Sequence, residues 1–376
     1  MPQKSIGCQG VSCLVRVASW IVPFVQESQG RSTKPHETTR TKSVASETGN
    51  YRMRIFKVII WLGLVGAIWA LVIYLKSPSR HVQAVPETQS SLRKGEAPTG
   101  NYAAPVTLAT LKNRSITEGS GLAASKANPG LYWTHNDSGN GPLIYAFDAS
   151  GASRGVWQLP AASCKDWEDI AVGPGPQAGK SYIYIGDIGD NEAMRADVVV
   201  YRVPEPTVAV ADASSSKAKP LTTEPIEVFR FRYPDGKHDA ETLLVHPQTG
   251  DLYIVTKVLL ENPGLYEAAA PLSSVVTTTL KRRGSLSVPS LLGGFITGGT
   301  ISPDGTRVAL CDYFQAYELV LPKGETSFDA IWKQSFVTIN LGKRTQGEAI
   351  AYRLDNKALL ATSEGRFSPI IQVVRR

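Results

Sequence analysis

Carboxylates dominate the residues of this chain that could do chemistry, and they recur at matched places. Glu168, Glu241 and Glu348 occupy one position of a short phrase that returns five times: Ser120-Gly-Leu-Ala, Glu168-Asp-Ile-Ala, Glu241-Thr-Leu-Leu, Gly299-Thr-Ile-Ser and Glu348-Ala-Ile-Ala. After each phrase comes a strand-like run, and after that run a polar residue or cluster: His135-Asn-Asp137, Asp187 with Asp190, Lys257, Asp312 and Glu364. Oxygen ligands in short turns of this kind suit Ca²⁺, which tolerates flexible coordination. Crowded carboxylates repel one another, so such a set calls for a cation or a basic ligand. His135 is a candidate general base or metal ligand, and Trp167, inside Asp166-Trp-Glu-Asp169, a candidate surface for a ligand. Beyond Asn101 only His238 and His246 accompany His135, so a His-based transition-metal site is not expected.

The elements that must position these residues follow from the spacing. The phrases begin at 120, 168, 241, 299 and 348, and intervals of this size with four short apolar runs in each mark the blades of a β-propeller. Blade one reads Gly121 to Ser125, Gly130 to His135, Leu143 to Asp148 and Gly155 to Leu159, cut by Gly, Asn, Pro and Ser. Blade two has the same order with an insertion, Asp212 to Thr223, before its fourth run, and blade three is expected to end on Val275 to Leu280. The fifth unit is one strand short. An orphan run, Ala104 to Leu111, is expected to supply it and close the ring, which removes exposed strand edges. A six-bladed ring is the alternative, the long second interval hiding an eroded blade. A β-sandwich with coincidental repeats is the other arrangement considered.

In a propeller the loop entering the innermost strand and the loop leaving the second strand share a face. Glu118, Ser120, Asp166, Glu168, Asp169, Asp239, Glu241, Gly299 and Glu348 should therefore meet His135, Asp137, Asp187, Asp190, Lys257, Asp312 and Glu364 around one mouth. The expected metal ligands are Glu168, Asp187, Asp190, Glu241, Asp312, Glu348 and Glu364, and the expected ligand contacts His135, Asp137, Trp167 and Lys257. Each Asp or Asn can equally cap a turn.

The phrases His135-Asn-Asp-Ser-Gly139, Asp166-Trp-Glu-Asp-Ile-Ala171, Tyr184-Ile-Gly-Asp-Ile-Gly-Asp-Asn191, Thr297-Gly-Gly-Thr-Ile-Ser-Pro-Asp-Gly305 and Gly347-Glu-Ala-Ile-Ala351 resemble those of uncharacterised bacterial envelope propellers, WD40-like or phytase-like. The phytase-like label implies Ca²⁺-assisted phosphoester hydrolysis. This chain departs from it in lacking a Lys and Arg cluster at the mouth, since phosphate recognition recruits such donors.

Upstream, Val58 to Leu75 is uncharged and follows Arg52, Arg54 and Lys57, which predicts one membrane helix with its amino-terminal side in the cytoplasm. A signal peptide starting at Met53 is the competing reading. The expected organisation is a basic tail over 1–52, an anchor over 53–77, a polar linker over 78–103 and the propeller over 104–376, on the periplasmic or extracellular side of the membrane. The net charge of +7 sits before Asn101; beyond it acidic and basic residues nearly balance, which excludes nucleic acid as a partner. Cys164 and Cys311, the two cysteines beyond Asn101, are expected as free thiols. The chain thus reads as a membrane-anchored binder of a ligand or envelope protein at a Ca²⁺-binding mouth. The alternatives are a metal-dependent hydrolase and a structural interaction module.

Overall fold

Short runs of β-branched and aromatic residues, interrupted by glycine and proline turns, fold as antiparallel sheets. The computed structural model describes residues 101–376, which form five sheets and no more. Blade one holds Gly119–Ala124, Leu131–Asn136, Leu143–Asp148 and Ser153–Gln158 from the axis outward. Blade two holds Trp167–Pro174, Ser181–Asp187, Val198–Pro204 and Glu227–Arg232. Blade three holds Ala240–Val245, Leu252–Thr256, Gly264–Ala268 and Lys281–Ser285, and blade four Gly298–Ile301, Arg307–Cys311, Gln315–Val320 and Val337–Asn340. The ring is five-bladed.

Blade five joins Ala349–Tyr352, Ala358–Thr362 and Pro369–Val374 to Val106–Thr110 from the other end of the described chain. Val106 faces Gln372 and Thr110 faces Pro369 across an antiparallel ladder. The pairing runs on to Asn101, whose carbonyl accepts from Arg376 N–H at 2.7 Å. Tyr102 donates to Glu318 of blade four at 2.6 Å, beside Tyr352, which donates to the same oxygen at 2.7 Å. One buried carboxylate thus ties the closing strand to two blades.

Five apolar cores close the circle, each between neighbouring blades. Trp133, Ile144 and Trp157 of blade one pack on Trp167, Ile183 and Tyr201 of blade two, and Leu122, Tyr145 and Phe147 of blade one pack on Ala351, Leu360 and Ile370 of blade five. Blades two and three, three and four, and four and five share the other three. Every sheet is therefore buried on both faces, which is why its strands read as continuous apolar runs rather than strict alternations.

Two expectations on the connectors are corrected. Val275 to Leu280 is not the fourth strand of blade three: Val275 is 90% exposed, Thr278–Thr279 pairs in parallel with Phe231 and Arg232 of blade two, and Lys281–Ser285 takes the edge of blade three. The insertion Asp212 to Thr223 is likewise more than a loop, because Leu221–Thr222 adds a parallel fifth strand to blade one against Trp157 and Gln158. Both segments reach back and cover the edge of the preceding blade, the usual liability of an open sheet. The expected anchor and its flanks, 1–52 and 53–77, and most of the linker 78–103 lie outside the described residues. Among the described residues no helix is long and apolar enough to cross a membrane.

Candidate functional site at the channel mouth

Pairing brings the entry loops and the second-strand exits to one face, with Trp167 opposite Asp187, Gly298 opposite Cys311 and Ala349 opposite Thr362. In blades two and three the innermost strand carries a β-bulge, and the extra residue is Glu168 in one and Glu241 in the other. A bulge re-aims its side chain, a common device beside functional sites. The repeated glutamate therefore leaves the pleat and enters the mouth.

One oxygen each from Asp137, Asp166 and Glu168 lies within 4.8 Å of the other two. Burial, then the charges of Asp137, Asp239 and Asp187, push the Asp166 carboxyl up to about 7. Burial, then Glu241, Asp137 and Asp166, raise Glu168 well above the usual range. Gly189 packs directly against this group: a Cβ there would collide with Glu168 Oε1 and Asp166 Oδ2, so the two carboxylates can lie against the backbone only because residue 189 has no side chain.

Across the mouth the charges are satisfied differently. Lys257 Nζ donates to Glu241 Oε1 and lies 4.6 Å from the centre of the Phe295 ring. Burial opposes the ammonium, yet Glu241, Tyr313 and Glu168 hold Lys257 above its ordinary value, while burial pushes Glu241 up to about 7 against the pull of Lys257. Glu348 hydrogen-bonds Glu364, and burial, then the Glu364 and Glu241 charges, raise it well above the usual carboxylate range. Two carboxyls in hydrogen-bond contact must share a proton.

Three further expected ligands have their oxygens engaged by the fold. Asp187 accepts from the backbone N–H groups of Lys165 and Asp166 at 3.2 and 3.1 Å and from Arg195 Nη1 at 2.8 Å. Asp190 accepts from Met194 and Arg195 N–H at 2.9 and 2.8 Å, the work of a turn cap. Asp312 accepts from Phe314 and Gln315 N–H, each at 2.8 Å, from Ser290 Oγ at 2.7 Å and from Tyr317 Oη at 2.6 Å.

His135 and Trp167 are corrected as mouth residues, since both have no exposed surface. They pack edge to face at 5.7 Å in the core between blades one and two, where the indole N–H donates to Ser163 O at 2.8 Å. Burial lowers His135 to about 4, so the ring is neutral, with Nδ1 3.0 Å from the carbonyl of Asn136. Aromatic bulk favours burial over display here, because both inter-blade faces need filling.

Asp169 closes the axis below the mouth. Its carboxylate accepts from Ile170 N–H at 2.8 Å and from Leu243 N–H of blade three at 3.0 Å, and it also bonds the Gly299 backbone of blade four. Blade one comes so near that a Cβ on Gly121, at φ +76, would strike it. Beyond this plug lies a cavity of about 40 Å³ walled by Leu122, Val172, Leu244 and Ile301. Sequence reasoning placed Asp166 at the mouth without assigning it to a cation, and missed Gly189 altogether. The Asp187-Ile-Gly-Asp190 turn was the available signal for the latter.

The fold is that of a five-bladed β-propeller, the kind of scaffold on which a ligand or protein binds. No family model matches the chain, and no curated protein matches it. Among solved structures, U3-55K is similar at a TM-score of 0.33 and 10% identity over 68% of this chain and 67% of that one, a likeness too loose to carry an argument.

Proposed function

We propose that this protein is a membrane-anchored propeller of the cell envelope that binds a ligand or protein partner at its acidic mouth, with a divalent cation, Ca²⁺ by its oxygen-only donors, held by Asp137, Asp166 and Glu168. The observation that carries the cation is their convergence within 4.8 Å, with Glu168 and Asp166 packed against Gly189, where a Cβ would collide with both. Buried carboxylates so close are costly when ionised, and a divalent ion offsets that cost. The uncharged run Val58 to Leu75 behind Arg52, Arg54 and Lys57, and the resemblance to envelope propellers, support the placement outside the cytoplasm. Binding is preferred to hydrolysis because His135 is sealed in the core. Of the cations at the mouth, Lys257 and Arg195 are engaged by Glu241 and Asp187, while Arg344 donates from Nη2 to Asp312 O at 2.8 Å and leaves Nε and Nη1 without a partner.

Thermal melting of the full chain against Ca²⁺ tests the reading. An ion that binds only the native state contributes about 2.7 kcal/mol at a hundredfold excess over its dissociation constant, a shift of several degrees. Glu168→Gln and Gly189→Ala should each abolish the shift, the first by removing a ligand and the second by displacing the Glu168 and Asp166 carboxylates that a Cβ would strike. Unchanged wild-type melting at millimolar Ca²⁺ would end the cation reading.

A further inference from the structure

Below the Asp169 plug each innermost strand turns one edge toward the channel axis. The N–H groups of Ser125, His246, Ser302 and Arg353 point the other way, donating to the carbonyls of Leu131, Asp251, Arg307 and Ala358 at 2.9–3.0 Å. Backbone groups alternate sides along a strand, so the residues just before them, Ala124, Val245, Ile301 and Tyr352, aim N–H and C=O inward. Val172 joins them in blade two, since Ile170, two residues earlier on an unbroken stretch of ladder, already donates inward to Asp169. All five residues line the cavity beyond the plug. A buried N–H outside the ladder calls for a partner.

The tier above shows what such an edge holds: the N–H groups of Ile170, Leu243 and Gly299 converge there on one carboxylate, that of Asp169. Two residues lower, about 6.6 Å along the strands, inward donors recur in all five blades and face the cavity. Inward carbonyls suit a cation and inward N–H groups an anion, and the rim decides between them. Two residues further along the same strands come Lys126, Pro247, Pro303 and Leu354, which also line the cavity, and Lys126 is the one charged side chain in its wall. Its ammonium has no hydrogen-bond or ion-pair partner among the described residues. Glu205 attracts it, but the Glu205 oxygens are taken by Ser125 Oγ, Ala127 N–H and Trp133 Nε1. Burial lowers Lys126 from its ordinary value, a cost that an anion in the cavity offsets. Burial also raises Asp169 well above the usual carboxylate range, which lessens the negative charge over the cavity. A volume of about 40 Å³ takes roughly three water-sized groups, the size of one carboxylate.

We propose that this cavity binds the carboxylate of a small organic acid, its oxygens on the inward N–H groups of the five strands and its charge beside Lys126. The site lies at the end of the channel opposite the mouth and is independent of the cation trio. Carboxyl-labelled acetate is titrated with the full chain in neutral detergent and its line width read by NMR, with acetamide as an uncharged competitor of the same shape. Saturable broadening that acetamide does not relieve is expected. Lys126→Gln should weaken acetate roughly tenfold, and Lys126→Arg, which keeps the charge, should restore most of the affinity. Ala124→Pro deletes an inward N–H that no ladder uses, so acetate should weaken roughly tenfold while the melting temperature holds. Broadening that never saturates, relief by acetamide, or equal affinity in wild type, Lys126→Gln and Ala124→Pro would overturn the proposal. Affinity lost in Arg344→Gln but kept in Lys126→Gln would place the anion at the mouth and overturn it as well.

Discussion

Asp166→Asn is the sharpest probe of the mouth because its effect changes sign with conditions. Burial and the neighbouring Asp137, Asp239 and Asp187 charges raise Asp166 from 3.8 to about 7 in the folded protein. A folded-state value above the unfolded one means that the native state holds the proton more tightly, so the associated stability is complete below about pH 4 and lost as pH rises to about 7. Three units correspond to an upper bound of about 4 kcal/mol, and allowing for partial exposure and relaxation leaves about 2 kcal/mol. Asparagine cannot ionise, so in EDTA at pH 8 the variant should melt about 4–8 °C above wild type, converging with it near pH 4. Millimolar Ca²⁺ should reverse the order, since only wild type retains the ligand. Differential scanning fluorimetry across pH 4–8, with and without Ca²⁺, reads both arms. A variant that melts at or below wild type in EDTA at pH 8 would show that Asp166 is a stabilising acceptor and that repulsion at the mouth is not the governing term.

Deleting Ile370 to Arg376 removes the strand between Ala358–Thr362 and Val106–Thr110 together with buried Ile370, Ile371 and Val373. At about 1.5–3 kcal/mol for each side chain this approaches the whole stability of a domain, so loss of the cooperative melt by circular dichroism is expected and an unchanged melt would refute the closure. Cys164 and Cys311 are free, and burial pushes both thiols up to about 12. Native protein should therefore react slowly with a thiol reagent at pH 8, while denaturant without reductant exposes both; a recovered Cys164–Cys311 peptide would contradict the structure. Alkaline phosphatase fused after Arg376 should be active if the propeller lies outside the cytoplasm, and a cytoplasm-only reporter there should be silent. The opposite pattern would reverse the proposed orientation.

Much of the ring was legible in the chain because each blade must bury both faces of its sheet, and that demand writes apolar runs and turn residues at a regular spacing. The five phrases counted the blades, and the orphan run before Thr117 announced the closing strand. The connectors were not legible: Val275 to Leu280 has the composition of an edge strand, and only the fold shows that its last residues pair with the neighbouring blade.

The candidate site divides in the same way. Repetition alone placed Glu168, Glu241 and Glu348 at one face, since residues at equivalent points of equivalent blades must meet on the axis. What each carboxylate does there depends on which atoms approach it from other blades and loops, information that no local spacing holds. Asp187 and Asp312 look in sequence like Glu168, yet backbone N–H groups claim the first two and a bulge turns the third into the mouth. His135 and Trp167 read as surface chemistry, and the packing of blade one on blade two buried them. Tertiary structure alone joined Asp166 to Asp137 and Glu168, because Asp137 comes from another blade and the other two pack on Gly189, a residue of a different loop.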